Sequence, residues 1–303
     1  MAVQWFPGHM HKARKSIKEA MGKIDIVIEV LDARIPYSSE NPLVANLRQS
    51  RPCIKVLNKS DLADPQLSKQ WISHFEQQDR VKAVAVVAEN KGSTRSAINQ
   101  AVAQCKKMLP ERNYEVRPVR IMIMGIPNVG KSTIINALTG RNLAKTGNEP
   151  AVTKTNQMIR MDDGVMLCDT PGILWPKIED EDSGYLLALT GAVKNTAIEF
   201  EDIASYAAAY LLQHYPAQIC ARYKLTEPPK DNIDLLEIIA RKRGGVRAGG
   251  KLDMNKAAEV LLHDYRAGAL GNLTLESPQS IQQRMQVMAE RKAAEPPAQD
   301  DEE

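Results

Sequence analysis

Gly125-Ile-Pro-Asn-Val-Gly-Lys-Ser132 has the spacing of a loop built to hold phosphate, G-x-x-x-x-G-K-[ST]. Its glycines let successive backbone N–H groups close around an oxyanion, and a helix starting there adds its positive end. In this reading Lys131 reaches the β- and γ-phosphates and Ser132 ligates magnesium through its hydroxyl. Asn128, Val129, Gly130 and Thr133 complete the cradle. A second group, Asn58-Lys59-Ser60-Asp61, fits N-K-x-D. A carboxylate at Asp61 can accept from the ring N–H and the exocyclic amine of guanine, and adenine offers neither pair. Charge-assisted hydrogen bonds of about 1.5–3 kcal/mol each give Asp61 roughly a hundredfold or more of discrimination. A third group, Asp169-Thr-Pro-Gly172, fits D-x-x-G: Asp169 holds magnesium through water and the Gly172 amide meets the γ-phosphate. Between the phosphate loop and D-x-x-G, Thr153 and Thr155 are candidates to complete the metal's coordination. Pro150-Ala-Val-Thr153 approaches the pattern P-G-x-T, which favours Thr153, although alanine replaces the glycine.

These groups need a scaffold that brings them to one edge. Asp25 to Leu31, Cys53 to Leu57, Lys82 to Val87 and Val119 to Met124 are apolar, β-branched runs, and are predicted strands. Helical patterns alternate with them: His9 to Met21, Asn41 to Gln49, Asp64 to Gln77, Thr94 to Met108 and Lys131 to Thr139. Gln157 to Met161 and Val165 to Cys168 are joined by Asp162-Asp163-Gly164, a hairpin signal. The alternation predicts an α/β, doubly wound, mostly parallel sheet with one antiparallel edge. After about Lys177 only helical periodicity remains, at Tyr185 to Leu189, Phe200 to Tyr215, Asn232 to Lys242 and Asn255 to Ala267. The expected organisation is a GTPase domain with a basic N-terminal arm over 1–178, a small all-α domain over 179–280, and a polar, partly disordered tail over 281–303.

The order of the motifs is unusual. Ordinary GTPases carry the phosphate loop first and the base reader later, whereas here N-K-x-D precedes G-x-x-x-x-G-K-S. This is a circular permutation, tolerable because all the motifs sit on loops at the carboxyl edge of one sheet. The chain then leaves the nucleotide-binding core directly after the γ-phosphate-sensing loop. With Trp5-Phe-Pro-Gly-His-Met10, Asp32-Ala-Arg-Ile-Pro36 and Lys242-Arg-Gly-Gly245, the set resembles the circularly permuted ribosome-assembly GTPases of the YlqF type over nearly the whole chain. The resemblance implies GTP and GDP binding, slow hydrolysis stimulated by the large ribosomal subunit, and a C-terminal helical domain that touches rRNA. Asp32-Ala-Arg-Ile-Pro36 has no role readable from its residue types beyond bracing the base-binding edge. In many GTPases a Ser-Ala-Lys-like stretch follows the third strand; here it is Ala88-Glu89-Asn90, which leaves backbone contacts to the base.

The residue after D-x-x-G is Ile173, where a glutamine often orients the attacking water. The family resemblance implies His9 as a catalytic histidine. Related potassium-dependent GTPases imply a second candidate, Asn128, holding a potassium ion near the transferred phosphate.

Arg241, Lys242, Arg243, Arg247 and Lys251 lie among four glycines with no acid between them, and the first predicted helix carries Lys12, Arg14 and Lys15. Both stretches suit an RNA backbone. Aromatic residues are only 5% of the chain, which argues against recognition of single strands by base stacking. The net charge of +3 is too mild to point to nucleic acid by itself. The four cysteines share no metal-ligand spacing and read as buried thiols of a reducing compartment. No apolar run reaches the roughly 18–20 residues of a membrane span, so a cytoplasmic protein, monomeric off the ribosome, is expected. The main alternative is an RNA-binding assembly scaffold that senses GTP with negligible turnover. A tRNA-modifying or ion-uptake GTPase is disfavoured because no second chemistry motif is present.

Overall fold

The computed structural model describes residues 9–110, 118–141, 157–161, 165–170, 172, 174, 175, 178, 180–193 and 200–294, with side chains described among them from residue 15 to 290 except at 157 and 248. Six strands form one sheet: β1 Ile26–Asp32, β2 Cys53–Asn58, β3 Val81–Ala85, β4 Val119–Met124, β5 Gln157–Arg160 and β6 Val165–Asp169. Their order is β3-β2-β1-β4-β6-β5, parallel except for the antiparallel β5–β6 pair. The doubly wound sheet with one antiparallel edge is therefore present. Every residue of β1 and β2 is buried, as central parallel strands require.

Alternate residues of each strand feed two cores. Ile26, Ile28, Val30, Ile54, Val56, Ile121 and Ile123 face α4 (Lys91–Lys106) and α5 (Lys131–Thr139). Val27, Leu31, Leu57, Met122 and Met124 face Ile17 and Met21 of α1 (His9–Met21) together with Trp71 and Phe75 of α3 (Pro65–Glu76). Val44 of the short α2 (Pro42–Arg48) joins the second core. The registry aligns Asp32 with Asn58 and Ile123 with Asp169. It brings the carboxyl ends of β1, β2, β4 and β6 to one edge. The chain reverses its winding between β1 and β4, the place where open α/β sheets bind ligands.

The helical domain packs into the first core. It comprises α6 (Glu181–Leu189), α7 (Phe200–His214), α8 (Pro216–Tyr223), α9 (Asn232–Lys242) and α10 (Met254–Arg266). After α10 the chain crosses back over the nucleotide-binding domain as a strap. Leu273 N donates to Leu62 O at 3.0 Å and Leu275 N to Arg34 O at 2.8 Å. Asp64 N donates to Thr274 Oγ1 at 2.9 Å, and the Trp71 indole donates to Glu276 O at 2.9 Å. The buried Glu276 carboxylate receives Tyr37 N at 2.8 Å and Ser38 N at 3.0 Å.

Two helices depart from the sequence expectation. α8 begins at Pro216, directly after the helix expected to end at Tyr215, where no further helix was expected before Asn232; proline is compatible with a first helical position. α11 (Pro278–Ala294) occupies much of the stretch expected as a polar tail, with Ile281 buried in the second core. Its composition has no wide apolar stripe, but it is rich in good helix formers.

Candidate nucleotide site

The phosphate loop bridges β4 and α5, and its backbone is shaped for a cradle. Asn128 (φ 61°) and Gly130 (φ 93°) both take left-handed conformations. A Cβ at Gly125 would lie 2.5 Å from Val30 O, and one at Gly130 would lie 2.3 Å from Asn58 Nδ2. Neither position therefore has room for a side chain. Gly172 closes in from the opposite side, where a Cβ would meet Lys131 Nζ at 2.9 Å and Pro127 N at 3.0 Å. The D-x-x-G loop is moored by Thr170 Oγ1, which donates to Ile123 O at 2.6 Å.

Lys131 is buried and donates to Ile126 O at 2.7 Å. Burial pulls its pKa down to about 8, against the opposing pull of the Asp169 carboxylate. An ammonium held there is poised to gain from any phosphate that enters. Ser132 stands in the first turn of α5 and the buried Asp169 ends β6. A hydroxyl and a carboxylate are the hard oxygen donors magnesium takes when phosphate oxygens and water supply the rest. These residues fit such an ion. Thr153 and Thr155 lie outside the described residues, as does Ile173.

The base reader is tied to this loop. Asn58 donates from Nδ2 to Val129 O at 2.8 Å, while its Oδ1 accepts from Ala88 N at 3.0 Å. One amide thus links the ends of β2 and β3 to the phosphate loop. Lys59, left-handed at φ 60°, donates to Asn128 O at 2.9 Å and to Asp32 Oδ2 at 2.9 Å. Asp61 and Glu89 are exposed, so the Asp61 carboxylate is open to an incoming base.

Asp32 and Arg34 brace the base-binding edge, the one role their segment suggested. Arg34 grips the buried Asp32 with two hydrogen bonds, Nε to Oδ1 at 2.9 Å and Nη2 to Oδ2 at 2.7 Å. Burial would raise the Asp32 pKa, but Arg34 and Lys59 outweigh it and hold the carboxyl far below the usual carboxylate range. Arg34 also lies over the Tyr265 ring, 5.1 Å from its centroid, at the end of α10. Sequence spacing predicts none of this, because the contact depends on Asp32 and Asn58 ending neighbouring strands in register.

The helical domain reaches the phosphate loop as well: Asn128 Nδ2 donates to Gly191 O at 2.6 Å, just past α6. Arg266 donates to Leu189 O at 2.8 Å and Ala188 O at 2.9 Å in the same turn. Of the remaining expected residues, Arg241, Lys242, Arg243, Arg247, Lys251 and Lys15 are exposed, far along the chain from these motifs. His9, Lys12 and Arg14 are on α1, and their side chains lie outside the described residues.

A family described as "50S ribosome-binding GTPase" matches residues 120–210. Ribosome biogenesis GTPase A of Bacillus pumilus is 43% identical over 287 residues, covering 92% of this chain and all of the relative. The chain belongs to the ribosome biogenesis GTPase A family. The Thermotoga maritima member is 32% identical, covering 92% of this chain and 96% of its own. Among solved structures, GNP-bound YlqF from T. maritima superposes with a TM-score of 0.62 at 30% identity, covering 88% of this chain and 98% of that one. GDP-bound YlqF gives the same TM-score at 28% identity. The fold is thus a circularly permuted P-loop GTPase domain followed by a small all-α domain.

Proposed function

We propose that this chain is a GTP-hydrolysing switch in late assembly of the large ribosomal subunit, engaging rRNA of the pre-ribosomal particle in its GTP state. The observation that carries the reading is the direct bond of the helical domain to the phosphate loop, from Asn128 to Gly191 O, while that domain presents a preformed basic loop. In that loop Gly245 N donates to Ala240 O at 2.7 Å, Asp253 N to Gly245 O at 2.7 Å, and Arg247 N to Lys251 O at 2.8 Å. Arg241 and Arg247 are held by Glu237 and Asp253, and the Arg243 and Lys251 side chains are exposed beside them. A cationic loop already folded loses little entropy when it meets a phosphate backbone.

At the nucleotide site, Asp61 selects guanine, and the glycine cradle with Lys131 binds the β- and γ-phosphates. Magnesium, held by Ser132, Asp169 and a switch threonine, would neutralise charge on those phosphates. Ile173 cannot hydrogen-bond a water, so intrinsic turnover is slow, and large subunits raise it by bringing His9 to the attacking water. The same isoleucine supports a second reading, a GTP-sensing RNA-binding scaffold with negligible turnover.

GTP hydrolysis measured with and without purified large subunits separates the two. The switch reading expects stimulation that fades as salt rises and is lost when Arg243 and Lys251 are both changed to Glu. Turnover that large subunits leave unchanged at saturating occupancy overturns it in favour of the scaffold.

A further inference from the structure

We propose that Arg266, in the helical domain, is a positioning residue for the phosphate loop: it fixes the Gly191 carbonyl that holds the Asn128 carboxamide. The inference rests on the GTPase reading and adds a residue from outside the nucleotide motifs.

Asn128 is the non-glycine residue of the loop with a left-handed backbone, at φ 61°. It is gripped at two points. Its backbone carbonyl accepts from Lys59 Nζ at 2.9 Å, and its side-chain amide donates to Gly191 O at 2.6 Å. Gly191 belongs to no regular element. It sits at φ 78° in the turn that ends α6, where Gly191 N donates to Ala188 O at 3.0 Å and Ala192 N to Leu187 O at 2.9 Å. A turn of this kind leaves other helix-end carbonyls needing donors. Arg266 donates from Nε to Leu189 O and from Nη2 to Ala188 O, the latter shared with the Gly191 N–H. Its guanidinium lies flat against the turn, so that a Cβ at Gly191 would come within 3.6 Å of Arg266 Cζ. A cation at a helix C-terminus is also favoured by the helix dipole.

The other end of the same residue closes the circuit. The Arg266 and Tyr265 carbonyls, at the last turn of α10, lie 3.5 Å from Arg34 Nη1. Arg34 holds Asp32, Asp32 holds Lys59, and Lys59 returns to Asn128. The loop that must wrap the phosphates is therefore braced through the ends of α6 and α10. Whatever moves the helical domain on a ribosomal particle moves the Gly191 carbonyl, and with it the orientation of the Asn128 amide. Because the guanidinium bonds the α6 turn and not the phosphate loop itself, a positioning effect of its loss passes through Asn128.

A double-mutant cycle tests this. GTP turnover and GDP affinity are measured for the full chain, for Arg266→Ala, for Asn128→Ala and for the double variant. Arg266→Ala is expected to lower kcat about fivefold, and to lower it little further once Asn128 is already alanine, as for residues acting in one network. Arg266→Lys, which keeps a donor for the carbonyls, is expected to fall between wild type and Arg266→Ala; it also serves if the alanine variant does not fold. An equal fold-loss in both Asn128 backgrounds means that Arg266 only supports the fold, and overturns the proposal. Failure of the GTPase reading is seen separately, as a wild-type chain that hydrolyses no GTP or loses nothing with Lys131→Ala.

Discussion

Replacing Asp32 by Asn probes how the base reader is braced. The side chain keeps its shape and loses its charge. Arg34, buried and bonded to Asp32 at 2.7 and 2.9 Å, keeps one acceptor and loses the other. Lys59 faces an amide N–H in place of Oδ2, 2.9 Å away. Breaking a buried ion pair by neutralising one partner costs about 3–5 kcal/mol. At roughly 2–4 °C per kcal/mol, the melting temperature should fall by about 6–20 °C. Nucleotide binding should suffer as well, since Lys59 is left with only the Asn128 carbonyl as a fixed partner. Loss of one charge-assisted hydrogen bond, about 1.5–3 kcal/mol, corresponds to at least a tenfold weaker GDP complex. Thermal unfolding followed by circular dichroism, without and with GDP, gives the first quantity, and fluorescent-GDP titration gives the second. A variant that melts within about a degree of wild type and binds GDP equally well would refute the bracing role.

Asp61→Asn should weaken GTP binding and admit xanthine nucleotide, whose extra carbonyl accepts from the new amide; competition assays check both, and a wild type that takes ATP as readily as GTP contradicts the assignment. Lys131 has its pKa pulled down to about 8 in the nucleotide-free protein, so it loses its charge as pH rises through that value. Bound phosphates hold the proton on, so binding takes up a proton above pH about 8, and GDP affinity should fall by up to tenfold per pH unit from there. An affinity that stays flat from about pH 7 to 9 would mean the buried ammonium is not the phosphate ligand. His9→Ala should remove most of the subunit-stimulated rate and leave GTP affinity nearly unchanged, the pattern of a lost transition-state contact. Equal stimulation at matched ribosome occupancy removes His9 from the mechanism.

Much of the nucleotide site was legible because its chemistry is local. Gly125 to Ser132 carries its own turn, and the helix expected over Lys131–Thr139 begins and ends as observed. Asn58 and Asp61 lie at a strand end that their apolar neighbours announce. Arg34, Gly191 and Arg266 were not legible, because each acts across a chain separation that no periodicity spans. Arg34 meets Tyr265 only after β1 and α10 are packed, and Gly191 acts through a backbone carbonyl that any residue possesses. The strap from Leu273 to Glu276 has no regular pattern either, since its partners Leu62, Arg34 and Trp71 belong to the nucleotide-binding domain. α11 escaped notice because burying Ile281 alone gives no stripe.

The strap also sets an order of events during synthesis. Domains form from the N-terminus as the chain emerges, and the base reader at Asn58–Asp61 and the phosphate loop at Gly125–Ser132 are made long before the residues that hold them. Leu62, Arg34 and Asp64 wait for Leu273, Leu275 and Thr274, more than two hundred positions later. A nascent chain halted before Leu273 carries every nucleotide motif but lacks the clasp beneath the guanine edge. The clasp on the turn after Asn58 thus forms near the end of translation.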